Sequence, residues 1–186
     1  MTAPRYAVLG WTRPAAQITA AALALFAGAA ASAQPTNISW NAGSGSWSVA
    51  SNWSPQLVPA NATHAAIISI PGVYTVNYDI NANLGGLSIT NPNADLDILA
   101  NHSLFISATD MHNDGLITIN PLAAAANTYL EFAQSNKLDG TGTIVLNAVP
   151  GNPVTAYIQT SAGATLTQAP DHTISGIGRI YALLVN

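Results

Sequence analysis

Short bursts of apolar residues two positions apart run through most of this sequence, and they constrain its fold more than any other feature. A period of two places alternate side chains on one face of a strand, so each burst predicts a strand with one buried face. Clusters of Asn, Asp, Pro and Gly separate the bursts and leave no room for long helices. The paired positions are Val73/Thr75, Leu87/Ile89, Leu96/Ile98, Leu104/Ile106, Ile117/Ile119, Leu130/Phe132, Ile144/Leu146 and Ala156/Ile158. The pattern predicts an all-β domain.

A glycine motif distinguishes between all-β architectures. Residues 138–144 (LDGTGTI) and 174–180 (ISGIGRI) both follow the order apolar, polar, Gly, x, Gly, x, Ile, and looser versions lie at 86–89 and 114–117. Glycine at quasi-regular intervals in β runs is typical of a solenoid, in which the chain turns a tight corner before each stacked strand. The motif favours a right-handed parallel β-helix with parallel pairing from about Ala66 onward. A β-sandwich stays as the alternative.

Three tryptophans, Trp40, Trp47 and Trp53, lie in a segment otherwise rich in Gly, Ser and Asn. Their large rings are expected to hold a loop-rich N-terminal cap on the first strands. If the rings are buried, their role is structural. If they form an exposed row, they are candidate ligand-binding residues on which a glycan stacks.

Residues 1–33 read as a secretory signal peptide. Arg5 and Arg13 give a positive start, 18–31 is apolar, and Ala31-Ser32-Ala33 is a small-residue cleavage box. An uncleaved anchor is the alternative. We therefore expect a signal peptide at 1–33, a Trp-rich cap at 34–65 and β-solenoid coils at 66–186.

The last residues, 180–186, form an apolar run without a polar cap. Solenoids need polar terminal caps. The run predicts that the array continues beyond this chain, or that its C-terminal edge is covered by a partner or by self-association.

Charge limits the classes of partner. Signal cleavage leaves Lys137 and Arg179 as the strong cations against eight acidic residues. Nucleic acid and anionic membrane surfaces bind clustered Lys and Arg, so neither is an expected partner. We also expect no stable membrane insertion after cleavage. Absence of cysteine excludes disulfides and thiolate metal sites.

Two alternating polar sets are candidate metal sites. Asp110, His112 and Asp114 would place an imidazole between two carboxylates on one strand face. Asp95 and Asp97 are carboxylates on one strand, and calcium is the cofactor that such oxygen ligands favour. The competing interpretation of both sets is a solvated turn, and with it no cofactor. Neither set belongs to a recognisable catalytic arrangement, so an enzyme is disfavoured.

The sequence resembles bacterial secreted surface proteins of the autotransporter-passenger or filamentous-haemagglutinin type. The matching features are Trp40, Gly45, Trp47, Asn52, Trp53 and Pro59, the strand signals at 66–70 and 74–76, and the Gly-x-Gly-x-Ile units. The resemblance implies a right-handed parallel β-helix, secretion to the bacterial cell surface or outer membrane, and adhesin or structural roles more often than catalysis.

Two functions follow from these observations. The first is a noncatalytic secreted or cell-surface protein whose β-helix shaft contacts a glycan or a surface protein. The alternative is a carbohydrate-active enzyme fragment or glycan-binding module that uses Trp40, Trp47 and Trp53.

Overall fold

The computed structural model describes residues 34–186, and the predicted signal peptide lies outside the described residues. One turn of 3-10 helix, Ala50–Asn52, accompanies nineteen short strands in the described part. The strands are β1 (Thr36–Trp40), β2 (Gly45–Ser46), β3 (Trp53–Ser54), β4 (His64–Ile68), β5 (Tyr74–Tyr78), β6 (Ala82–Leu84), β7 (Gly86–Ile89), β8 (Ala94–Ile98), β9 (Ser103–Ile106), β10 (Asp110–Asn113), β11 (Leu116–Ile119), β12 (Thr128–Phe132), β13 (Asn136–Asp139), β14 (Thr143–Asn147), β15 (Ala156–Thr160), β16 (Thr165–Gln168), β17 (Thr173–Ile177), β18 (Arg179–Tyr181) and β19 (Leu183–Val185).

These strands form three sheets. The first has the order β19-β16-β13-β10-β7-β4-β1-β3, the second β17-β14-β11-β8-β5-β2, and the third β18-β15-β12-β9-β6. Neighbouring strands are parallel, with the exception of the antiparallel pair β1 and β3. The expected all-β fold with parallel pairing is thus confirmed. The antiparallel neighbours that a sandwich needs are confined, within residues 34–186, to that pair and an isolated Val149–Asn152 bridge.

From β4 onward, successive strands join the first, second and third sheets in turn. Each strand pairs with the strands three places before and after it. Residues at equivalent positions of neighbouring strands therefore lie side by side and form columns. Inward-facing members of two columns are Val76, Leu96, Ile117, Ile144 and Ile174 on the second sheet, and Ala82, Leu104, Leu130, Ile158 and Ile180 on the third. Full burial of such a side chain stabilises the fold by about 1.5–3 kcal/mol.

The Gly-x-Gly motif forms corners between sheets, as its composition predicts. Gly140, in the corner after β13, and Gly176, near the end of β17 and just before the corner at Gly178, have φ angles of +99° and +101°, a region that favours glycine. The two copies, however, occupy different corners. The first joins β13 to β14, and the second joins β17 to β18. Ile144, the end of the first copy, pairs with Ile174, the start of the second. The motif therefore marks corners in general and does not define a repeat register.

The tryptophan segment closes the N-terminal end of the interior. Trp40, Trp47 and Trp53 are each 1% exposed or less. Edge-to-face contacts link Trp53 to Trp40 at 4.9 Å and to Trp47 at 4.6 Å, and Trp47 packs on Tyr78 at 5.0 Å. Each indole N–H donates to a backbone carbonyl, of Gly43, Pro59 and Trp47 respectively. The tryptophan segment is thus a buried, hydrogen-bonded aromatic cluster.

One strand expectation is wrong by one residue. The pair Val73 and Thr75 suggested that these side chains face the interior, but Val73 is 85% exposed. Tyr74, Val76 and Tyr78 are buried instead. A one-residue shift moves every side chain of a strand to the other face. The buried residues were missed because Tyr74 and Tyr78 carry hydroxyl groups, which also suit a surface position.

No helix in residues 34–186 is long and apolar enough to cross a membrane.

Candidate functional site

A cluster of charged residues lies on the outer face of the first sheet. On β10, Asp110 and His112 face outward on either side of the buried Met111. On β13, Lys137 and Asp139 flank the buried Leu138 in the same way. Parallel pairing places Asp110 beside Lys137 and His112 beside Asp139. Together with Asp114, just beyond β10, these side chains form what we call the charged cluster.

A shallow depression of about 300 Å³ adjoins the charged cluster. Small residues create it, because Ala65 on β4 and Gly86 on β7 are register neighbours that leave the sheet surface uncovered. Ile67 and Ser88 form the next outward row. Its lining residues are Ala65, Ile67, Gly86, Leu87, Ser88, Asp110, Met111, His112 and Asp139. The depression therefore joins an apolar floor to a rim of carboxylate, imidazole and hydroxyl groups.

Asp114 fixes the geometry of this rim. Its Oδ2 lies 2.8 Å from His112 Nε2, and its Oδ1 accepts hydrogen bonds from the backbone N–H and the hydroxyl of Thr141 at 3.0 and 3.2 Å. The hydrogen bond from His112, followed by that from the Thr141 backbone, lowers the pKa of the Asp114 carboxyl. Asp114 thus orients the imidazole of His112, and its hydrogen bonds to Thr141 connect the corner after β10 to the corner after β13.

The second carboxylate beside His112 is also held in its ionised form. A hydrogen bond from the backbone N–H of Gly140 and then the Lys137 ammonium lower the pKa of the Asp139 carboxyl. Lys137 Nζ lies 3.1 Å from Asp139 Oδ2. Both groups are half exposed, so the pair adds little stability but keeps a charged, hydrogen-bonding rim at neutral pH.

The predicted metal ligands divide between two faces. Asp110, His112 and Asp114 are close in space, but both Asp114 oxygens already accept hydrogen bonds. Asp95 and Asp97 face outward on β8, in the second sheet. Within residues 34–186, no three His, Asp or Glu side chains are grouped so as to hold a metal ion. Calcium binding stays a prediction.

Asp95 and Asp97 have carboxyl pKa values shifted in the opposite direction from those of the charged cluster. Burial raises the pKa of both carboxyls, and the charge of Asp95 raises that of Asp97 further, while a hydrogen bond from Thr118 opposes the shift. This pair lies away from the depression, and within residues 34–186 neither carboxylate forms a salt bridge that would offset their repulsion.

The tryptophans do not form the exposed row that ligand stacking requires. Their rings pack against one another and on Tyr78 inside the cap, so Trp40, Trp47 and Trp53 are not available to a ligand and their assignment as candidate ligand-binding residues is wrong. Their burial agrees with the alternative of a structural role, because each ring is removed from water and each N–H donates to a carbonyl.

Sequence reasoning missed the partners of the cluster, Lys137 and Asp139, and the small residues Ala65 and Gly86. The alternation Asp-Met-His at 110–112 is matched by Lys-Leu-Asp at 137–139. This signal becomes informative only when the strand register is known, since the interval between paired residues is longer at Ile144 and Ile174 than at Thr75 and Asp95.

Comparison of this chain with protein-family models, with curated proteins and with solved structures finds no match.

Proposed function

We propose that residues 34–186 form a right-handed parallel β-helix closed at its N-terminal end by the tryptophan cap. The rotation of successive strands among three sheets, the stacked interior columns and the corner glycines support this architecture. Crossovers between parallel strands are right-handed in nearly all proteins, which supports the hand.

The proposed role is that of a noncatalytic structural or adhesion protein, secreted or held at the bacterial cell surface, of the autotransporter-passenger or filamentous-haemagglutinin type. A β-helix is a rigid shaft whose outward columns present side chains at fixed spacing. The sequence resemblance and the signal-like residues 1–33 support export.

The ligand we propose for the depression is a neutral glycan. The observation that carries this proposal is the joining of an apolar floor at Ala65 and Gly86 to the hydrogen-bonding rim of Asp110, His112 and Asp139. The apolar floor suits the C–H face of a sugar ring, and carboxylates accept hydrogen bonds from its hydroxyl groups. Three carboxylates against one ammonium in the charged cluster disfavour an anionic polysaccharide.

Isothermal titration calorimetry with cellotetraose, mannotetraose and chitotetraose tests the proposal. Ala65→Leu fills the depression from outside the core, and Asp139→Asn removes a rim carboxylate, so each should weaken binding at least about tenfold. Asp95→Asn, on the second sheet, is the matched control and should change affinity less than about twofold. Failure of all three sugars to bind, or equal loss in the control, would contradict a glycan site at the depression.

The second candidate is a carbohydrate-active enzyme that uses the same face. The contact between His112 and Asp114, with Asp139 as the next neighbour, favours it, because a carboxylate-oriented imidazole can transfer protons. Chromatography of each sugar after prolonged incubation decides between the two functions. Intact sugar in a bound complex supports the noncatalytic protein, whereas shortened products lost in His112→Asn support the enzyme.

A further inference from the structure

The hydrogen bond between His112 and Asp114 determines which nitrogen of the imidazole carries a proton. The Asp114 carboxyl has a lowered pKa and is ionised at neutral pH, so its Oδ2 accepts and His112 Nε2 donates. In the neutral imidazole the other nitrogen, Nδ1, then carries a lone pair. Nδ1 has no hydrogen-bond partner among residues 34–186. His112 therefore offers the depression a hydrogen-bond acceptor.

A second acceptor lies on the same strand. Asp110 precedes His112 by two positions, so both side chains leave the same face of β10, about 6–7 Å apart along the strand. The hydroxyl of Thr109 donates to Asp110 Oδ2 at 3.0 Å, whereas Oδ1 accepts no hydrogen bond within residues 34–186. Both residues line the depression. Its rim thus presents two free acceptors at a fixed separation.

The other charged groups of the cluster are already satisfied. Asp139 accepts from the Lys137 ammonium and from a backbone N–H, and Asp114 accepts through both of its oxygens. Lys137 does not line the depression, and Ser88 carries the one hydroxyl among the lining residues. Apart from that hydroxyl, the free polar side-chain atoms of the depression are acceptors. A ligand that fits this rim must therefore supply hydrogen-bond donors.

We propose that the depression recognises two adjacent free hydroxyl groups, a vicinal diol, on a hexose ring. One hydroxyl donates to Asp110 Oδ1 and the next to His112 Nδ1, while the C–H face of the ring lies over the apolar floor at Ala65 and Gly86. A diol fits better than an ammonium group, because only one of the two acceptors carries a charge. The inference rests on the proposed function, since it specifies which neutral glycans the same depression binds. These are glycans with unsubstituted 2- and 3-hydroxyl groups, such as β-1,4-linked glucans and mannans.

Asp114 is a positioning residue in this arrangement, since it contacts the imidazole and not the sugar. Its Oδ1 accepts from the backbone N–H and the hydroxyl of Thr141. In Asp114→Asn the amide oxygen keeps these two bonds, so the amide N–H group faces His112 Nε2 and donates to it. The imidazole proton then moves to Nδ1, which can no longer accept from a sugar hydroxyl.

Isothermal titration calorimetry at about pH 8, where ordinary imidazoles are neutral, tests the diol with two probes. The probes are cellotetraose and cellotetraose methylated at its 2- and 3-hydroxyl groups, which keeps the rings and oxygens but removes the donors. Methylation should weaken binding at least about tenfold. Equal affinity for the two probes, or binding of chitotetraose alone, would overturn the diol and leave a glycan site in place. Failure of both probes, of mannotetraose and of chitotetraose would overturn the proposed function as well.

Asp114→Asn tests the role of the imidazole. Affinity for cellotetraose should fall at least about tenfold, whereas the methylated sugar, which lacks the donor, should lose less than about twofold. Nitrogen-15 NMR of the imidazole should show Nε2 protonated in the wild type and Nδ1 protonated in the variant. Asp95→Asn, on the second sheet, is the matched control and should change neither the tautomer nor the affinity. Protonated Nδ1 in the wild type, or unchanged cellotetraose binding in a variant with the inverted tautomer, would refute the inference.

Discussion

The two ends of the described strand stack differ in how their apolar interior is covered. At the N-terminal end, Trp40, Trp47 and Trp53 cover the interior and their N–H groups are satisfied by carbonyls of the cap itself. At the C-terminal end of the described residues, which we define as β17, β18 and β19, Ile180 and Leu184 are 39% and 41% exposed. A stack of strands buries its apolar face only where a neighbour covers it, so side chains under the tryptophan cap are buried, whereas those of β18 and β19 keep contact with solvent.

The largest expected effect breaks the closed end. Trp47→Ala removes a fully buried ring that contacts Trp53 and Tyr78, and the free energy of unfolding should fall by about 3–5 kcal/mol. Urea denaturation followed by far-ultraviolet circular dichroism measures this change. A loss below about 1 kcal/mol would mean that the cap does not stabilise the stack.

A matched pair on one column sharpens the contrast. Ile158 is fully buried and its neighbour Ile180 is 39% exposed. Ile158→Ala should lower the free energy of unfolding by about 2–5 kcal/mol, whereas Ile180→Ala should lower it by about 1 kcal/mol. Equal losses in the same urea titrations would show that Ile180 is as well covered as Ile158.

Low pH should lower the free energy of unfolding through His172, which lies near the C-terminal end. His172, just before β17, is buried, and Asn113 Nδ2 donates to its Nε2 at 3.0 Å, so Nδ1 carries the proton and has no partner in the described residues. Burial lowers the pKa of the His172 imidazole below its usual 6.5, and Asp114 opposes the shift in part. As the pH falls below 6.5, the His172 imidazole is protonated in the unfolded chain before it is protonated in the folded chain. The contribution of neutral His172 to the free energy of unfolding is therefore complete above that pH and declines as the pH falls.

Scanning calorimetry at pH 7.5 and 5.5 measures this decline as a drop in Tm. His172→Asn should show a smaller drop between the two pH values, even if it is less stable at both. The same slope in both proteins would rule out His172 as the source.

The smallest effect is expected at the C-terminal end itself. Tyr181 is 51% exposed and its ring stacks at 6.0 Å on Tyr157. Tyr181→Ala should lower the free energy of unfolding by about 0.5 kcal/mol or less. Urea denaturation measures this change, and a loss near that of Trp47→Ala would contradict the difference between the two ends.

Local patterns predicted the strands and the cap because each depends on neighbouring residues. Period-two bursts located eight of the nineteen strands, and Trp with Gly and Ser indicated a packed loop. The charged cluster was only half predictable. Asp110 and His112 are two positions apart in the sequence, but Lys137 and Asp139 lie beside them only because of the strand register, which depends on corners of unequal length. Tyr74 and Val73 show the same limit, since their faces are set by packing across sheets.

The placement of aromatic residues makes the two ends optically separate. All tryptophans of the described chain lie in the cap. Tyr129, Tyr157 and Tyr181 stack along the third sheet toward the other end, at 4.6 and 6.0 Å between ring centres. In a protein of residues 34–186, tryptophan emission therefore reports on the cap, and the absorption of the stacked phenols reports on the third sheet. These two sets of chromophores allow the order of unfolding along the described chain to be followed without any label.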